Sequence, residues 1–132
     1  MDTREFDIIV YGATGYTGRL VAEHFVREYG ASDSGPKWAI AGRSEDKLSA
    51  VREEISASPV TPMIVADAED PASLEAMCRR TKVVISTVGP YQLYGDALVE
   101  ACVKTGTDYA DLCGEPAWMA EKIAQHHAAA QE

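Results

Sequence analysis

The chain has 132 residues, of which 46% are hydrophobic and 25% are charged, a composition typical of one folded domain. Its formal net charge of −9 argues against a nucleic-acid partner, because proteins that bind phosphate backbones carry a basic surface. No apolar run is long enough to predict a transmembrane segment, and Met1 to Glu5 lack the layout of a signal peptide, so we expect a cytoplasmic protein.

The first predicted element is a buried strand that ends in a glycine-rich turn. Phe6–Tyr11 is a short apolar run with β-branched side chains, which is typical of a parallel strand. Three glycines follow in the pattern G-x-x-G-x-x-G, and a helix is predicted over residues 19–29. The first interval is one residue longer than in the usual dinucleotide-binding fingerprint, but the flanking strand and helix match that fingerprint.

The glycine pattern predicts a site for the pyrophosphate of a dinucleotide. Unpaired N–H groups and the positive dipole end of the following helix would attract the phosphates. The alternative is a glycine-rich turn without a ligand. The candidate cofactor-binding residues of this turn are Gly12, Ala13, Thr14, Gly15, Tyr16, Thr17 and Gly18.

The next predicted elements continue an alternation of strands and helices. Residues 30–37 form a loop by composition, and Trp38–Gly42 is a second buried strand. Ser44 is expected to cap a helix that ends near residues 56–59. A third strand is predicted over residues 60–66, in which Pro62 indicates either the first residues of the strand or an edge position.

The second half of the chain repeats this order. The remaining elements are predicted as a helix with a carboxylate cap at Asp70, a strand over residues 82–88, a helix over residues 96–104 that ends at Gly106, a strand over residues 107–112 and a helix from Glu115. Strict alternation predicts a Rossmann-type, doubly wound parallel sheet in three α/β/α layers. We expect residues 1–132 to form one dinucleotide-binding domain, the N-terminal part of a longer enzyme.

The end of the second strand indicates which dinucleotide is bound. In doubly wound sheets the ligand lies beyond the carboxyl ends of the strands, and an NAD site usually has an acidic residue after the second strand. Here that place holds Arg43 and Ser44, with Lys47 one turn later. An arginine can bind a 2′-phosphate in a bidentate pair, which favours NADP(H) over NAD(H). The alternative is that Arg43 is an ordinary surface charge.

Two further strand ends carry candidate residues. Asp67 follows the third strand and either accepts hydrogen bonds from adenine or caps the next helix. Tyr91 and Tyr94 follow the fourth strand and either shape a nicotinamide pocket or pack in the core. The candidate cofactor-binding residues after the fourth strand are Val88, Gly89, Pro90 and Tyr91.

The reactive residue types form no catalytic or metal-binding pattern. Cys78, Cys102 and Cys113 are far apart in the sequence and are expected to be reduced thiols. The histidines lack the spacing of two metal ligands on one helix face, so no metal site is predicted. No tyrosine has a lysine four residues later, so the proton-transfer pair of short-chain dehydrogenases is absent, and no catalytic residue is assigned.

Five segments carry a more specific pattern: YGATGYTG (residues 11–18), AGRS (41–44), TVGPY (87–91), YG (94–95) and GTDYADLCGE (106–115). Together they resemble the saccharopine dehydrogenase-like oxidoreductases, and within that family they are most similar to the trans-acting enoyl reductases. The likeness covers essentially the whole chain but only the N-terminal, NADP-binding domain of the family. It implies that residues 12–18 bind pyrophosphate, that Arg43 and Ser44 bind the adenosine phosphate, and that residues 88–91 pass beside the nicotinamide ribose.

The resemblance also implies what a parent enzyme does. Family members continue into a domain that binds the substrate and forms a homodimer, and the parent transfers a hydride from NADPH to an unsaturated (enoyl) or carbonyl substrate in lipid metabolism. That substrate, a small molecule or a lipid chain, would be bound outside this domain, so the present chain alone is expected to be inactive. Alternatives are a saccharopine-type amino-acid or imine reductase domain, a non-catalytic NADP(H)-sensing module and a membrane-associated parent.

Overall fold

The structure is a computed structural model that describes residues 4–30 and 35–132. The strands are β1 (Phe6–Tyr11), β2 (Trp38–Gly42), β3 (Met63–Val65), β4 (Thr81–Ser86) and β5 (Asp108–Asp111). The helices are α1 (Tyr16–Tyr29), α2 (Glu45–Glu54), α3 (Pro71–Cys78), α4 (Tyr91–Tyr94), α5 (Asp96–Thr105) and α6 (Pro116–Ala130). Residues 1–3, which belong to the N-terminal segment considered above for a signal peptide, and residues 31–34 of the predicted loop lie outside the described residues.

The strands form one parallel sheet in the order β3-β2-β1-β4-β5. Ile9 of β1 pairs with Ala39 of β2 on one side and with Val84 of β4 on the other. The chain therefore winds outward from β1 in both directions, which creates a switch point between β1 and β4 where doubly wound sheets bind their ligands. The predicted Rossmann-type topology is confirmed.

The sheet separates two hydrophobic cores, one on each face. Successive side chains of a strand point to opposite faces, and in β1 Ile9 belongs to one core and Val10 to the other. The Ile9 core contains the fully buried Leu74 of α3, and the Val10 core contains the fully buried Leu48 of α2. Because helices cover both faces, the predicted three-layer arrangement is confirmed.

Several predicted boundaries are confirmed at the residue. β1 and β2 have the predicted bounds. Ser44 caps α2 by accepting a hydrogen bond from the Lys47 N–H at 3.3 Å. Gly106 ends α5 with a φ of 68°, the left-handed conformation that glycine adopts without strain.

Helix α1 begins earlier than predicted. It starts at Tyr16 rather than at residue 19, because Gly15 occupies the extended N-cap position and its carbonyl accepts a hydrogen bond from the Arg19 N–H at 2.9 Å. The last residues of the glycine pattern therefore form the first turn of α1. Their N–H groups are the ones that an α-helix leaves without a partner in its own backbone.

Strand β3 is shorter than predicted. It covers only Met63–Val65 instead of residues 60–66, because Ser58 to Thr61 form a turn and Pro62 has no N–H to donate to the sheet. The edge position that Pro62 indicated as one alternative is confirmed, since β3 is the outermost strand.

The later strands also end early. β4 stops at Ser86 and not at residue 88, and β5 stops at Asp111 and not at residue 112. The Leu112 N–H leaves the strand direction and donates to the phenol oxygen of Tyr91 at 3.1 Å. This long-range hydrogen bond is invisible to a local strand pattern.

Two features of the helices differ from prediction. Asp70 occupies the N-cap position of α3, but its carboxylate makes no capping hydrogen bond, and its carbonyl instead accepts from the Ser73 hydroxyl at 2.7 Å. α2 ends at Glu54, before residues 56–59, and Ser56 beyond it has a φ of 61°. The short helix α4 was not predicted.

Candidate functional site

A cavity of about 410 Å³ opens at the carboxyl ends of β1 to β4. It contains the switch point between β1 and β4, where a doubly wound sheet is expected to bind its ligand. The lining residues are Tyr11, Gly12, Thr14, Gly15, Gly42, Arg43, Asp67, Ala68, Glu69, Thr87, Val88, Gly89 and Tyr94.

The glycine turn is packed so tightly that two of its positions exclude any side chain. Gly12 has a φ of 90°, and a Cβ there would lie 2.7 Å from both Thr87 Oγ1 and Val88 Cγ2. A Cβ on Gly18 would overlap the Gly12 carbonyl oxygen. Gly18 therefore lets α1 approach the end of β1 directly, as the dinucleotide fingerprint requires.

Gly15 lies in different surroundings. A Cβ at Gly15 would meet only the Gly12 carbonyl oxygen, at the ordinary contact distance of 3.5 Å. The protein itself therefore has room for a side chain at this position. The open space in front of Gly15 belongs to the cavity, which fits the expected close approach of a pyrophosphate.

Thr87 fastens the glycine turn to the end of β4. Its N–H donates to the Tyr11 carbonyl at 3.1 Å, and its hydroxyl lies 3.2 Å from the Tyr11 carbonyl and 3.3 Å from the Gly12 carbonyl. Thr87 was not among the predicted site residues, although the TVGPY segment contains it. Only the contact with a turn 75 residues away reveals its role.

The end of β2 presents a cation to the cavity. Arg43 is exposed, lines the cavity and makes no ion pair with any other residue in the described part of the chain. Lys47 is also exposed, one turn along α2, whereas the Ser44 hydroxyl is used as the helix cap. The guanidinium is therefore available to an anionic ligand.

Tyr11, Asp67 and Arg43 share one electrostatic environment. Burial, and to a lesser extent the Asp67 carboxylate, raise the pKa of the Tyr11 phenol to about 12, and the Arg43 charge partly opposes this rise. The phenol is therefore neutral at physiological pH. This part of the cavity offers a neutral hydroxyl, a carboxylate and a guanidinium within interaction range.

Asp67 serves the turn before α3. One carboxylate oxygen accepts a hydrogen bond from the Glu69 N–H at 2.9 Å, and the Asp67 N–H donates to the Ser73 hydroxyl at 3.0 Å. The side chain also lines the cavity. Both alternatives drawn from the sequence, a helix-entry role and a ligand contact, fit this position.

The two tyrosines after β4 differ in exposure. Tyr91 is 6% exposed, its phenol donates to the Ser86 carbonyl at 3.1 Å, and its ring centroid lies 5.6 Å from that of Trp118. This geometry favours the packing role for Tyr91. Tyr94 is 43% exposed and lines the cavity.

The other predicted residues do not line the cavity. Ala13 and Gly18 are buried, while the Tyr16 side chain is 83% exposed on the first turn of α1. Tyr16 and Thr17 belong to the first turn of α1, where N–H groups have no partner in the backbone of the helix. The predicted residues that are absent from the lining are Ala13, Tyr16, Thr17, Gly18, Ser44, Lys47, Pro90 and Tyr91.

The cysteines are free, but two of them are neighbours. The buried Cys78 and Cys102 have sulfur atoms 3.6 Å apart, a proximity that their spacing in the sequence does not reveal. Within residues 4–30 and 35–132, no group of three or more histidine, cysteine or acidic residues could hold a metal ion. Over the same residues, no helix has the length and apolar character that crossing a membrane requires.

Comparison with known sequences identifies similar proteins. Residues 8–132 match the family described as saccharopine dehydrogenase NADP binding domain. The chain is 50% identical over 127 residues to a trans-acting enoyl reductase of Mycobacterium leprae, which covers 96% of this chain and 29% of that protein. It is also 50% identical over 125 residues to a putative trans-acting enoyl reductase of Mycobacterium tuberculosis, with coverage of 94% and 29%. The chain thus spans less than a third of the length of these relatives.

Solved structures show the same fold. The apo saccharopine dehydrogenase (L-Glu forming) of Saccharomyces cerevisiae aligns with a TM-score of 0.63 and 19% identity, over 89% of this chain and 24% of that one. A triphenylmethane reductase of Citrobacter sp., complexed with NADP(H), aligns with a TM-score of 0.66 and 21% identity, over 95% and 45% of the two chains. At these identities the likeness concerns the fold alone.

Proposed function

Because the chain belongs to the saccharopine dehydrogenase NADP-binding domain family, we propose that the cavity at the carboxyl ends of β1 to β4 is its NADP(H) site. In this proposal the glycine turn and the first turn of α1 bind the pyrophosphate. Arg43, Ser44 and Lys47 bind the adenosine phosphate, and Asp67 lies near the adenine. Residues 88–91 lie beside the nicotinamide ribose.

The observation that carries this proposal is the position of Arg43. Its exposed guanidinium lines the same cavity as Gly12 and Gly15 and has no ion-pair partner among the described residues. A guanidinium can bind a 2′-phosphate through two parallel hydrogen bonds. An NAD site would instead place a carboxylate here for the ribose hydroxyls.

We further propose that residues 1–132 form the N-terminal cofactor domain of an NADP-dependent oxidoreductase. The mycobacterial relatives are named trans-acting enoyl reductases and are more than three times as long as the matched part of this chain. By this likeness the substrate carries an enoyl or carbonyl group on a small molecule or lipid chain, bound by a further domain of a cytoplasmic homodimer. The cofactor would supply the hydride, and the residues of this domain would bind and orient the cofactor.

The first test is calorimetric titration of the chain with NADPH and with NADH. We expect tighter binding of NADPH, and we expect Arg43→Ala to weaken NADPH binding by about tenfold or more, toward the NADH value. The matched control is Arg27→Ala, which removes an exposed arginine from the last turn of α1, at the opposite end of that helix from the glycine turn.

The possible results separate the parts of the proposal. Equal loss of NADPH binding in Arg43→Ala and Arg27→Ala would mean that Arg43 acts only through the net charge. Unchanged NADPH binding in Arg43→Ala would contradict a phosphate site at the end of β2. No binding of either dinucleotide by the unsubstituted chain would contradict the cofactor site itself.

A further inference from the structure

The loop between β4 and α4 forms one wall of the cavity. Thr87, Val88 and Gly89 line it, and Thr87 attaches the start of the loop to the glycine turn. The proposed function places the nicotinamide half of NADP(H) against this loop. The position of the loop relative to the glycine turn therefore sets the space that this half of the cofactor can occupy.

The end of the loop next to α4 is held by Glu115, which follows β5 in the sequence. Glu115 is the N-cap residue of α6, and one of its carboxylate oxygens accepts a hydrogen bond from the Tyr91 N–H at 2.7 Å. The other oxygen accepts from the Gln92 N–H at 3.0 Å. One carboxylate thus binds two successive backbone amides, and hydrogen bonds of this charge-assisted kind are stronger than neutral ones.

Glu115 is itself fixed in place. Its backbone N–H donates to the Cys113 sulfur at 3.3 Å, and the Cys113 N–H donates to the Asp111 carboxylate at 2.9 Å. The side chain is half-buried. These hydrogen bonds order the segment between β5 and α6, and they thereby fix the position of the Glu115 carboxylate.

A second contact joins the same two segments. The Tyr91 phenol donates to the Ser86 carbonyl and accepts from the Leu112 N–H, both at 3.1 Å. The Glu115 carboxylate and the Tyr91 phenol thus both connect the segment after β4 with the segment after β5. Residues 87–90 are held between these bonds on one side and the Thr87 bonds on the other.

We propose that Glu115 is a positioning residue that holds the 87–90 loop for the nicotinamide half of NADP(H), while leaving the adenosine half unaffected. This inference rests on the proposed function. Its selectivity follows from the sheet order, because β1 lies between β2, which carries Arg43 at its end, and β4, which leads into the loop. Two strand spacings separate these ends by about 10 Å.

The test compares two ligands in one variant. NADPH has both halves, whereas adenosine 2′,5′-bisphosphate has the adenosine and its 2′-phosphate but no nicotinamide. In Glu115→Gln, which replaces one acceptor by an amide donor that faces a backbone N–H, we expect NADPH affinity to fall about tenfold. Affinity for the bisphosphate should stay within about twofold.

Two further variants complete the design. Glu115→Ala removes both acceptors and should weaken NADPH binding more than Glu115→Gln, with the bisphosphate again unaffected. Glu121→Gln is the matched control, because it removes one exposed carboxylate from α6 without touching the loop and should leave both affinities unchanged. The bisphosphate titration also reports whether each variant is folded.

Three results would contradict the role proposed for Glu115 or the cofactor site on which it rests. Equal weakening of both ligands in Glu115→Gln would mean a merely structural role and would overturn the inference, as would unchanged NADPH binding in Glu115→Ala. If the unsubstituted chain binds neither ligand, the proposed cofactor site fails. That failure is distinguishable because it precedes any substitution at Glu115.

Discussion

Gly15 and Gly18 belong to one sequence pattern, but the structure uses them differently. A Cβ at Gly18 would overlap the Gly12 carbonyl oxygen, whereas a Cβ at Gly15 would meet that oxygen at the ordinary contact distance of 3.5 Å. We expect Gly18→Ala to lower the free energy of unfolding by roughly 1–3 kcal/mol, because an overpacked contact must relax. Gly15→Ala should leave that free energy unchanged or slightly higher, while NADPH binding is lost.

Urea unfolding and NADPH titration of both variants check this contrast. Gly15 has an extended backbone with φ of −82°, which alanine adopts without strain, so instability of Gly15→Ala would be evidence against the geometry described for the turn. Normal NADPH binding in a folded Gly15→Ala would show that the pyrophosphate does not approach this residue.

The sequence predicted individual residues well where their role depends on neighbours along the chain. Ser44 as a cap and Gly106 as a helix end follow from contacts within a few residues, and both are confirmed. Thr87 and Glu115 act on partners that lie 75 and 24 positions away, so no local pattern assigned those roles. The nearness of Cys78 and Cys102 was missed for the same reason.

At the scale of elements, Arg4 connects segments that are distant in the sequence. Its guanidinium donates to the carbonyls of Cys78 and Thr81, at 3.3 and 2.7 Å, and to the Thr105 carbonyl and the Thr107 hydroxyl. Arg4, two residues before β1, thus joins the end of α3, the start of β4 and the connection from α5 to β5. Three of the four acceptors are backbone carbonyls at the ends of helices or strands.

We expect Arg4→Ala to lower the free energy of unfolding by roughly 2–4 kcal/mol, because several part-buried acceptors lose a charged donor at once. Urea unfolding measures the effect, with Arg27→Ala as the exposed-arginine control. A loss no greater than that of the control would mean that water replaces the guanidinium without cost.

The order of the elements was predictable, but several of their ends were not. Apolar runs and helix caps are local signals, so the alternation and the bounds of β1 and β2 could be derived from the sequence. The end of β5 was predicted one residue too late because the Leu112 N–H binds the phenol of Tyr91, which belongs to a different element. Tertiary hydrogen bonds of this kind decide where a strand stops.

For the whole molecule, two carboxylates link stability to pH. The Lys37 N–H and the Lys82 side chain hold the pKa of Asp7 below its ordinary value, and the Trp118 indole and Lys122 do the same for Asp96. A carboxylate with a depressed pKa in the folded state stabilises that state at pH values above its unfolded pKa. The contribution disappears as the pH falls through the lower, folded value.

We therefore expect the urea midpoint to be constant from about pH 7 to pH 5 and to decrease below about pH 4 as these carboxylates take up protons. The double variant Asp7→Asn, Asp96→Asn should lose less of its stability over the acid range than the unsubstituted chain. Parallel acid titrations of both proteins, followed by circular dichroism, measure the difference. Superimposable curves would rule out these two groups as the source of the pH dependence.

The bond from Thr87 to the glycine turn also bears on biosynthesis. The glycine pattern of the proposed cofactor site lies between the first strand and helix, and N-terminal segments are the first to leave the ribosome. The Tyr11 and Gly12 carbonyls, however, can accept a hydrogen bond from the Thr87 hydroxyl only when β4 has been made and has paired with β1. A nascent chain that stops before β4 therefore contains the glycine pattern without the residue that holds the glycine turn in place, and in the proposed function the cofactor binds only after the middle of the domain has been made.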